Sequence, residues 1–167
     1  MKSGRAAAGL AGLSVAWAVW LVATPVAASA LQNRAAMVAA ALTYRTGALL
    51  CHQQPARSFH VAQTQLPVCA RCMGLYGGAA LGALVGLIWI GRRAARSVPV
   101  PALRLVLIGA AAPTAGLFAA EHLLGALVSN LARCAGAVPL GIAVGWFVIG
   151  WAGGDPIGDS ATNSAIH

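Results

Sequence analysis

Residues 68–90 read VCARCMGLYGGAALGALVGLIWI, an apolar run that is long enough to cross a lipid bilayer as one helix. Glycine recurs in this run at every fourth position, so one helix face carries only small residues. Such a face lets a second helix backbone approach closely. We therefore predict that this span lies at the centre of a helical bundle. The same face offers a surface for a helix–helix oligomer through Gly74, Gly78, Gly82 and Gly86.

The composition is that of a membrane protein. Hydrophobic residues make up 59% of the 167 residues and charged residues only 8%, whereas a typical soluble domain is about 25% charged. Lipid must therefore be the solvent for most of the surface. The net charge of +8 comes from eleven Lys and Arg residues scattered at the ends of apolar segments. They form no basic face, which argues against nucleic acid as a partner and favours anionic lipid headgroups.

The apolar segments predict an all-α, polytopic transmembrane bundle. We expect four spans, at about 6–23, 68–90, 101–120 and 131–151, within one membrane domain that covers residues 1–152. Residues 35–50 are apolar but too short to cross, so we predict an interfacial helix there. If that helix did cross, the polar stretch after it would move to the cytoplasmic side. The tail, 153–167, is rich in Gly, Asp and Ser and is predicted to be disordered.

Basic residues orient the predicted bundle. Lys2 and Arg5 precede the first span, and a short loop after the second span carries Arg92, Arg93 and Arg96. Cytoplasmic segments next to membrane spans are enriched in Lys and Arg. Both ends of the chain are therefore predicted to be cytoplasmic. The polar stretch before the second span then faces the extracytoplasmic side.

The first apolar segment has two readings. Residues 28–30, which follow Pro25, read Ala-Ser-Ala, and such small residues suit the cleavage site of a signal peptide. Against this, the segment is longer than the apolar core of about 7–15 residues that signal peptides usually have. We favour a helix that is retained as a signal anchor. In both readings the part of the chain that follows is exported.

The polar stretch CHQQPARSFHVAQTQLPVCARC begins at Cys51 and holds three of the four cysteines. Cys69 and Cys72 form a CxxC at a helix start, so both sulfur atoms lie on one helix face. A Cys or His upstream of a CxxC is a usual arrangement for tetrahedral zinc. Adjacent residues seldom bind the same ion, so His52 and His60 compete for the fourth position. We predict a site for zinc or copper with Cys51, His52, Cys69 and Cys72 as ligands, or with His60 in place of His52.

Two other functions fit the same residues. The helix N-terminus and Arg71 favour thiolates, which makes Cys69 and Cys72 good nucleophiles as well as good ligands. A four-span bundle with such a pair is similar in layout to the quinone-coupled membrane enzymes that generate disulfides. The first alternative is therefore a thiol–disulfide oxidoreductase that uses a quinone, and whether the protein is an enzyme stays open. The second is a structural or partner-binding protein whose outer loop is held by a disulfide from Cys51.

Glu121 is the single acidic residue outside the tail. It lies at the end of the third predicted span, where a carboxylate is costly unless it is paired. Arg133 and Arg71 are its candidate partners. Such a pair either supports a functional site or only fixes helix packing. We group it with Arg57 and Asn130 as polar support for the cysteine site.

Two segments, CHQQPARSFH and LPVCARCMGLY, resemble the signature of a widespread family of small prokaryotic membrane proteins, known as a domain of unknown function. Its pattern is approximately CHQ-x-P-x-RSF, then P-x-CARC-x-G-x-Y, and the resemblance covers residues 44–141. It implies a multi-pass protein of the prokaryotic cytoplasmic membrane and carries no assigned activity. Family members often have an Asp soon after the proline of the third span, whereas this chain has Pro113-Thr-Ala-Gly-Leu. The matching residues are Cys51, His52, Gln53, Pro55, Arg57, Ser58, Phe59, Cys69, Arg71, Cys72, Gly74 and Tyr76, and later Ser129, Asn130, Arg133 and Gly136.

Overall fold

Helices make up most of the chain in the computed structural model, which describes residues 2–31, 33–61, 63–90 and 100–153. Within those ranges, four helices are long and apolar enough to cross a membrane, which confirms the predicted fold class. A short 3-10 helix, Pro55–Arg57, and an antiparallel hairpin of β1 (His60–Val61) and β2 (Thr64–Gln65) connect the second and third helices. The helices are α1 (Lys2–Leu31), α2 (Arg34–Leu50), α3 (Ala70–Ile90), α4 (Val100–Leu123) and α5 (Asn130–Ala152).

Among the α-helices of the described residues, α2 alone is not a candidate span, because its 17 residues fall short of the about 20 that a bilayer crossing usually needs. Asn33 caps its start, where the side-chain oxygen accepts a hydrogen bond from the Ala36 N–H at 2.8 Å. α2 packs against α1, and Trp20 Nε1 donates to Thr43 Oγ1 at 2.8 Å. The position of α2 at the membrane surface stays a prediction.

α3 and α5 form the central helix pair, and small residues line their contact. Gly78 lies so close to α5 that a Cβ there would collide with the backbone of Val138. Gly141 and Gly145 of α5 approach the α3 backbone in the same way. Close approach maximises van der Waals contact where lipid provides no hydrophobic driving force. The glycine face is therefore used within the chain, and an oligomer through the same face stays a prediction.

α1 packs along α3. Ala7 and Ala11 are fully buried and lie in one apolar cluster with Ala83 of α3. Further along, the Trp17 ring meets the Tyr76 ring edge-on, with centroids 6.2 Å apart. The two helices therefore run antiparallel, with the first turns of α1 beside the later part of α3.

α1 is longer than the span that the sequence predicts. It continues through Pro25 to Leu31 instead of ending near residue 23. Pro25 is buried, and the preceding Thr24 donates its hydroxyl hydrogen to the Trp20 carbonyl at 2.7 Å. A proline of this kind is tolerated inside a membrane helix when neighbouring groups satisfy the freed backbone. The Ala-Ser-Ala segment lies inside this helix, and its retention as an anchor stays a prediction.

α4 lies at the outside of the bundle and packs against α5. Its Leu105 and Ile108 side chains are 71% and 67% exposed. An apolar helix with its large side chains exposed is stable when lipid covers it. Two predictions fall outside the described residues: the basic loop of Arg92, Arg93 and Arg96, and the tail beyond Gly153. The membrane side of each bundle end, which rests on that loop, stays a prediction.

Gly78→Ala is expected to destabilise the bundle, because the added Cβ meets the Val138 backbone, which moves only if α3 and α5 separate. Overpacking of this kind costs about 1–3 kcal/mol. Gly77→Ala is the matched control, since a Cβ at that neighbouring position meets no atom within 4 Å. Thermal unfolding in detergent measures both variants. Equal melting temperatures would contradict the close α3–α5 contact.

Candidate metal centre

Three cysteine side chains converge at the end of the bundle where α3 begins. Cys51 follows the last turn of α2, Cys69 immediately precedes α3, and Cys72 lies in its first turn. Their sulfur atoms all lie within 4.8 Å of one another. All four cysteines are free thiols, and Cys134, on α5, lies apart from this sulfur cluster. The fold therefore brings together Cys51 and the CxxC pair.

The sulfur cluster has an apolar floor and hydrogen-bonded sulfur atoms. Cys51 is buried and packs with Leu21 of α1 and with Val68. The Cys69 backbone N–H donates to the Cys51 sulfur at 3.1 Å. A hydrogen bond from the Cys72 thiol lowers the pKa of the Cys69 thiol to about 5, although burial acts in the opposite direction. Cys69 is therefore a thiolate at neutral pH.

A network of amide groups holds the Cys51 segment against the start of α3. Gln53 has a left-handed backbone, with φ of 48°, and its Nε2 donates to the carbonyl oxygens of Tyr44 at 2.8 Å and Pro67 at 2.6 Å. Gln65 Nε2 donates to the Gln53 carbonyl at 2.6 Å, and the Tyr44 hydroxyl donates to the Gln65 carbonyl. These bonds join α2 and the polar loop to Pro67, which precedes Val68. The network therefore sets the distance between Cys51 and the CxxC pair.

Glu121 ties three helices together beside the sulfur cluster. Its side chain is only 4% exposed, and its two oxygens accept hydrogen bonds from Arg71 Nη2 at 3.2 Å and from Arg133 Nε at 2.5 Å. Both arginines that the sequence offers as partners thus contact it. Arg133 Nη1 also donates to Asn130 Oδ1 at 2.7 Å, and Asn130 Nδ2 donates to the Ser58 carbonyl at 3.1 Å. The ion pair is therefore connected to the polar loop.

A cleft of about 400 Å³ opens beside the sulfur cluster. Arg71 lies over the Phe118 ring, with its guanidinium carbon 5.4 Å from the ring centroid. The His122 ring stacks on the Phe118 ring at a centroid distance of 4.0 Å. No carboxylate is among the described side chains that line the cleft. The lining includes Cys51, Arg57, Cys69, Arg71, Cys72 and Arg133.

The structure separates the two histidine candidates for the fourth ligand. Both histidines are exposed, but His52 lines the cleft next to the cysteines, whereas His60 lies in β1, outside the lining. Neither imidazole belongs to the sulfur cluster. Arg57 lines the cleft from the 3-10 helix. Of the two histidines, His52 therefore has the shorter route to an ion at the sulfur atoms.

Three residues that position the site are missed by sequence reasoning: Gln53, Gln65 and Phe118. The signal for Gln53 is its place directly after Cys51 and His52, and both glutamines lie in the polar stretch between Cys51 and Cys72. Phe118 precedes Glu121 by three positions, so the two share one helix face. That spacing is the signal that places Phe118 at the cleft.

Glu121→Gln is expected to destabilise the protein, because it leaves Arg71 and Arg133 without their counter-ion. Removing one partner from a buried ion pair costs on the order of 3 kcal/mol. Arg133→Ala should give a loss of similar size, since it breaks the same pair. Unfolding in detergent measures both variants and the double variant, which should lose less than the sum. Strictly additive losses would show that the two side chains act independently.

Cys69 is expected to react with iodoacetamide at a nearly constant rate between pH 8 and pH 6 in metal-free protein. With a pKa of about 5 it remains a thiolate there, and its reaction slows only as the pH falls through 5. An ordinary thiol, with a pKa of about 8.5, slows roughly 100-fold over the same interval. Peptide mass spectrometry measures the rate. Cys72→Ala removes the hydrogen-bond donor and should restore the ordinary pH dependence, and an unchanged profile would contradict this account.

Comparison with known proteins adds a family to this geometry. The family model described as "Predicted membrane protein (DUF2085)" matches residues 51–147, which is more than half of the chain and includes the whole sulfur cluster. The chain is also 43% identical over 42 residues to the uncharacterized protein MJ1492 of Methanocaldococcus jannaschii. That alignment covers 25% of this chain and 27% of the relative. No solved structure matches the chain. The protein therefore belongs to this membrane protein family, as the cysteine segments predict.

Proposed function

We propose that this integral membrane protein binds one metal ion through Cys51, Cys69 and Cys72. The convergence of the three sulfur atoms within 4.8 Å carries the proposal. With zinc–sulfur bonds of about 2.3 Å, the sulfur ligands of a tetrahedral site lie about 3.8 Å apart. The sulfur atoms therefore need to approach one another by about 1 Å at most, which small side-chain rotations supply.

The donor chemistry favours zinc or copper. Thiolates are soft ligands that select zinc and copper(I) over magnesium and calcium. The Cys69 N–H that points at the Cys51 sulfur stabilises negative charge there, as a bound thiolate requires. We assign the fourth position to His52, because it lines the cleft beside the cysteines and His60 does not.

We further propose that the sulfur cluster lies on the extracytoplasmic side of a prokaryotic cytoplasmic membrane. Ala7 of α1 packs beside Ala83, late in α3, while Leu21 packs beside Val68 at the start of α3. The first residues of α1 therefore lie at the opposite end of the bundle from the cluster. Lys2 and Arg5 are at that opposite end, and positive charge is retained in the cytoplasm.

A thiol–disulfide oxidoreductase is the second candidate function. The lowered pKa of Cys69 favours it, since the thiolate is the reactive form. In this candidate, Cys69 and Cys72 form a disulfide and pass two electrons and two protons to a quinone beside Arg71. Cys51 would relay electrons to the pair, and the candidate ranks second because the reaction at the pair needs two sulfur atoms whereas three converge. The disulfide-held outer loop stays a prediction.

Replacing any one of the three cluster cysteines by Ser is expected to remove most of the bound metal, because each supplies one bond to the same ion. Cys134→Ser is the matched control and should leave the metal content unchanged, since Cys134 lies outside the cluster. His52→Ala should lower the metal content and His60→Ala should not. Elemental analysis of detergent-purified protein, combined with a free-thiol count, measures each variant.

One result would decide for the second candidate. Freshly isolated protein that contains no metal and carries an oxidised Cys69–Cys72 pair by mass spectrometry would exclude the metal proposal. Tolerance of both histidine replacements would agree with that outcome, because the dithiol chemistry does not use either imidazole.

A further inference from the structure

The cleft beside the sulfur cluster carries more positive charge than the described residues neutralise. Arg57, Arg71 and Arg133 all line it. Glu121, behind the lining, pairs with Arg71 and Arg133. Among the described residues, three guanidinium groups thus face one carboxylate, which leaves positive charge in the cleft without a carboxylate counter-ion. A partly enclosed cleft makes such an imbalance costly, because water screens it poorly.

Two of these arginines have N–H groups available to a ligand. No carboxylate of the described residues pairs with Arg57. Arg71 Nε is buried and has no hydrogen-bond partner. A buried N–H without a partner is unfavourable, and such groups are rare unless a ligand satisfies them. Guanidinium groups bind tetrahedral and planar oxyanions through paired N–H donors.

The cleft lies at one end of the candidate spans, where lipid phosphate groups are expected. α3 and α5 begin at this end and α4 ends there, and the spans of 20–23 residues are about 30–35 Å long, close to the hydrocarbon thickness of about 30 Å. Residues at the helix ends therefore meet the headgroups. Leu50 on the cleft wall is 70% exposed, and Leu123, next to His122, is 81% exposed. Exposed leucines beside a cationic cleft suit contact with lipid.

We infer that this cleft binds a phosphate group through the guanidinium groups of Arg57 and Arg71. At about 400 Å³ the cleft has the size of a small-molecule site, about 300–1,000 Å³, so the ligand is larger than phosphate alone. Its remainder contacts the apolar lining of Leu50, Leu75 and Phe118. A lipid headgroup and a soluble phosphate compound share this chemistry. The inference goes beyond the metal proposal and does not depend on an occupied sulfur cluster.

Phosphate binding by the detergent-purified full chain tests the inference in two arms. One arm titrates inorganic phosphate calorimetrically, and the other measures by native mass spectrometry how much phosphatidylglycerol is retained relative to phosphatidylcholine. Arg57→Gln is expected to weaken the observed binding by about tenfold or more, because a charge-assisted hydrogen bond is lost. Arg45→Gln is the matched control, since it makes the same charge change on an exposed position of α2.

Each outcome decides the inference. Arg57-dependent binding of inorganic phosphate identifies a soluble phosphate compound as the ligand, and Arg57-dependent retention of phosphatidylglycerol alone identifies a lipid headgroup. Binding in neither arm overturns the inference, and so does an equal loss in Arg45→Gln. Both arms are run on metal-free and metal-loaded wild type. Arg57-dependent binding by protein that never takes up metal would support this inference while the metal proposal fails.

Discussion

The close backbone contact between α3 and α5 is the constraint on which the rest of the structure depends. Inside a bilayer, apolar surfaces gain nothing by leaving water, so helices are held together by van der Waals contact and polar bonds. Gly78 on α3 and Gly141 on α5 permit that contact because neither carries a Cβ. The same packing sets the first turns of both helices side by side, so that Arg71 and Arg133 reach the one carboxylate of Glu121. A wider separation would leave this carboxylate with a single partner.

The polar loop uses this rigid end of the bundle to hold its own conformation. A metal site gains affinity when its ligands are placed before the ion arrives, since less conformational freedom is lost on binding. The α3 backbone places Cys69 and Cys72, but Cys51 comes from a different helix. The side-chain amides of Gln53 and Gln65 hold the Cys51 segment against the start of α3. Each hydrogen bond contributes on the order of 1 kcal/mol. The loop is therefore part of the framework that holds the three cysteines close together.

Local rules explain which features the sequence predicts. A crossing needs about 20 apolar residues, and that requirement can be read from each segment alone, so the four spans follow from hydropathy. Glu121 is the single acidic residue outside the tail, so Arg71 and Arg133, near the ends of the predicted spans, have no other carboxylate there to pair with. The glutamine network depends instead on a left-handed turn at Gln53, which tertiary contacts stabilise. The end of α1 at Leu31 depends on how neighbours pack around Pro25, and no local signal reports that packing.

The charge of a bound ion links the sulfur cluster to the arginines. Three thiolates around Zn²⁺ carry one net negative charge, and around Cu⁺ they carry two. With Glu121, a zinc-loaded cluster leaves one of the three arginine charges unbalanced, so the cleft still attracts an anion. A copper(I)-loaded cluster would balance all three. One unit charge beside a partly enclosed cleft matters for an anion, because water screens it poorly there. A zinc-loaded cluster would therefore leave the attraction for a phosphate group in place, whereas a copper(I)-loaded cluster would weaken it.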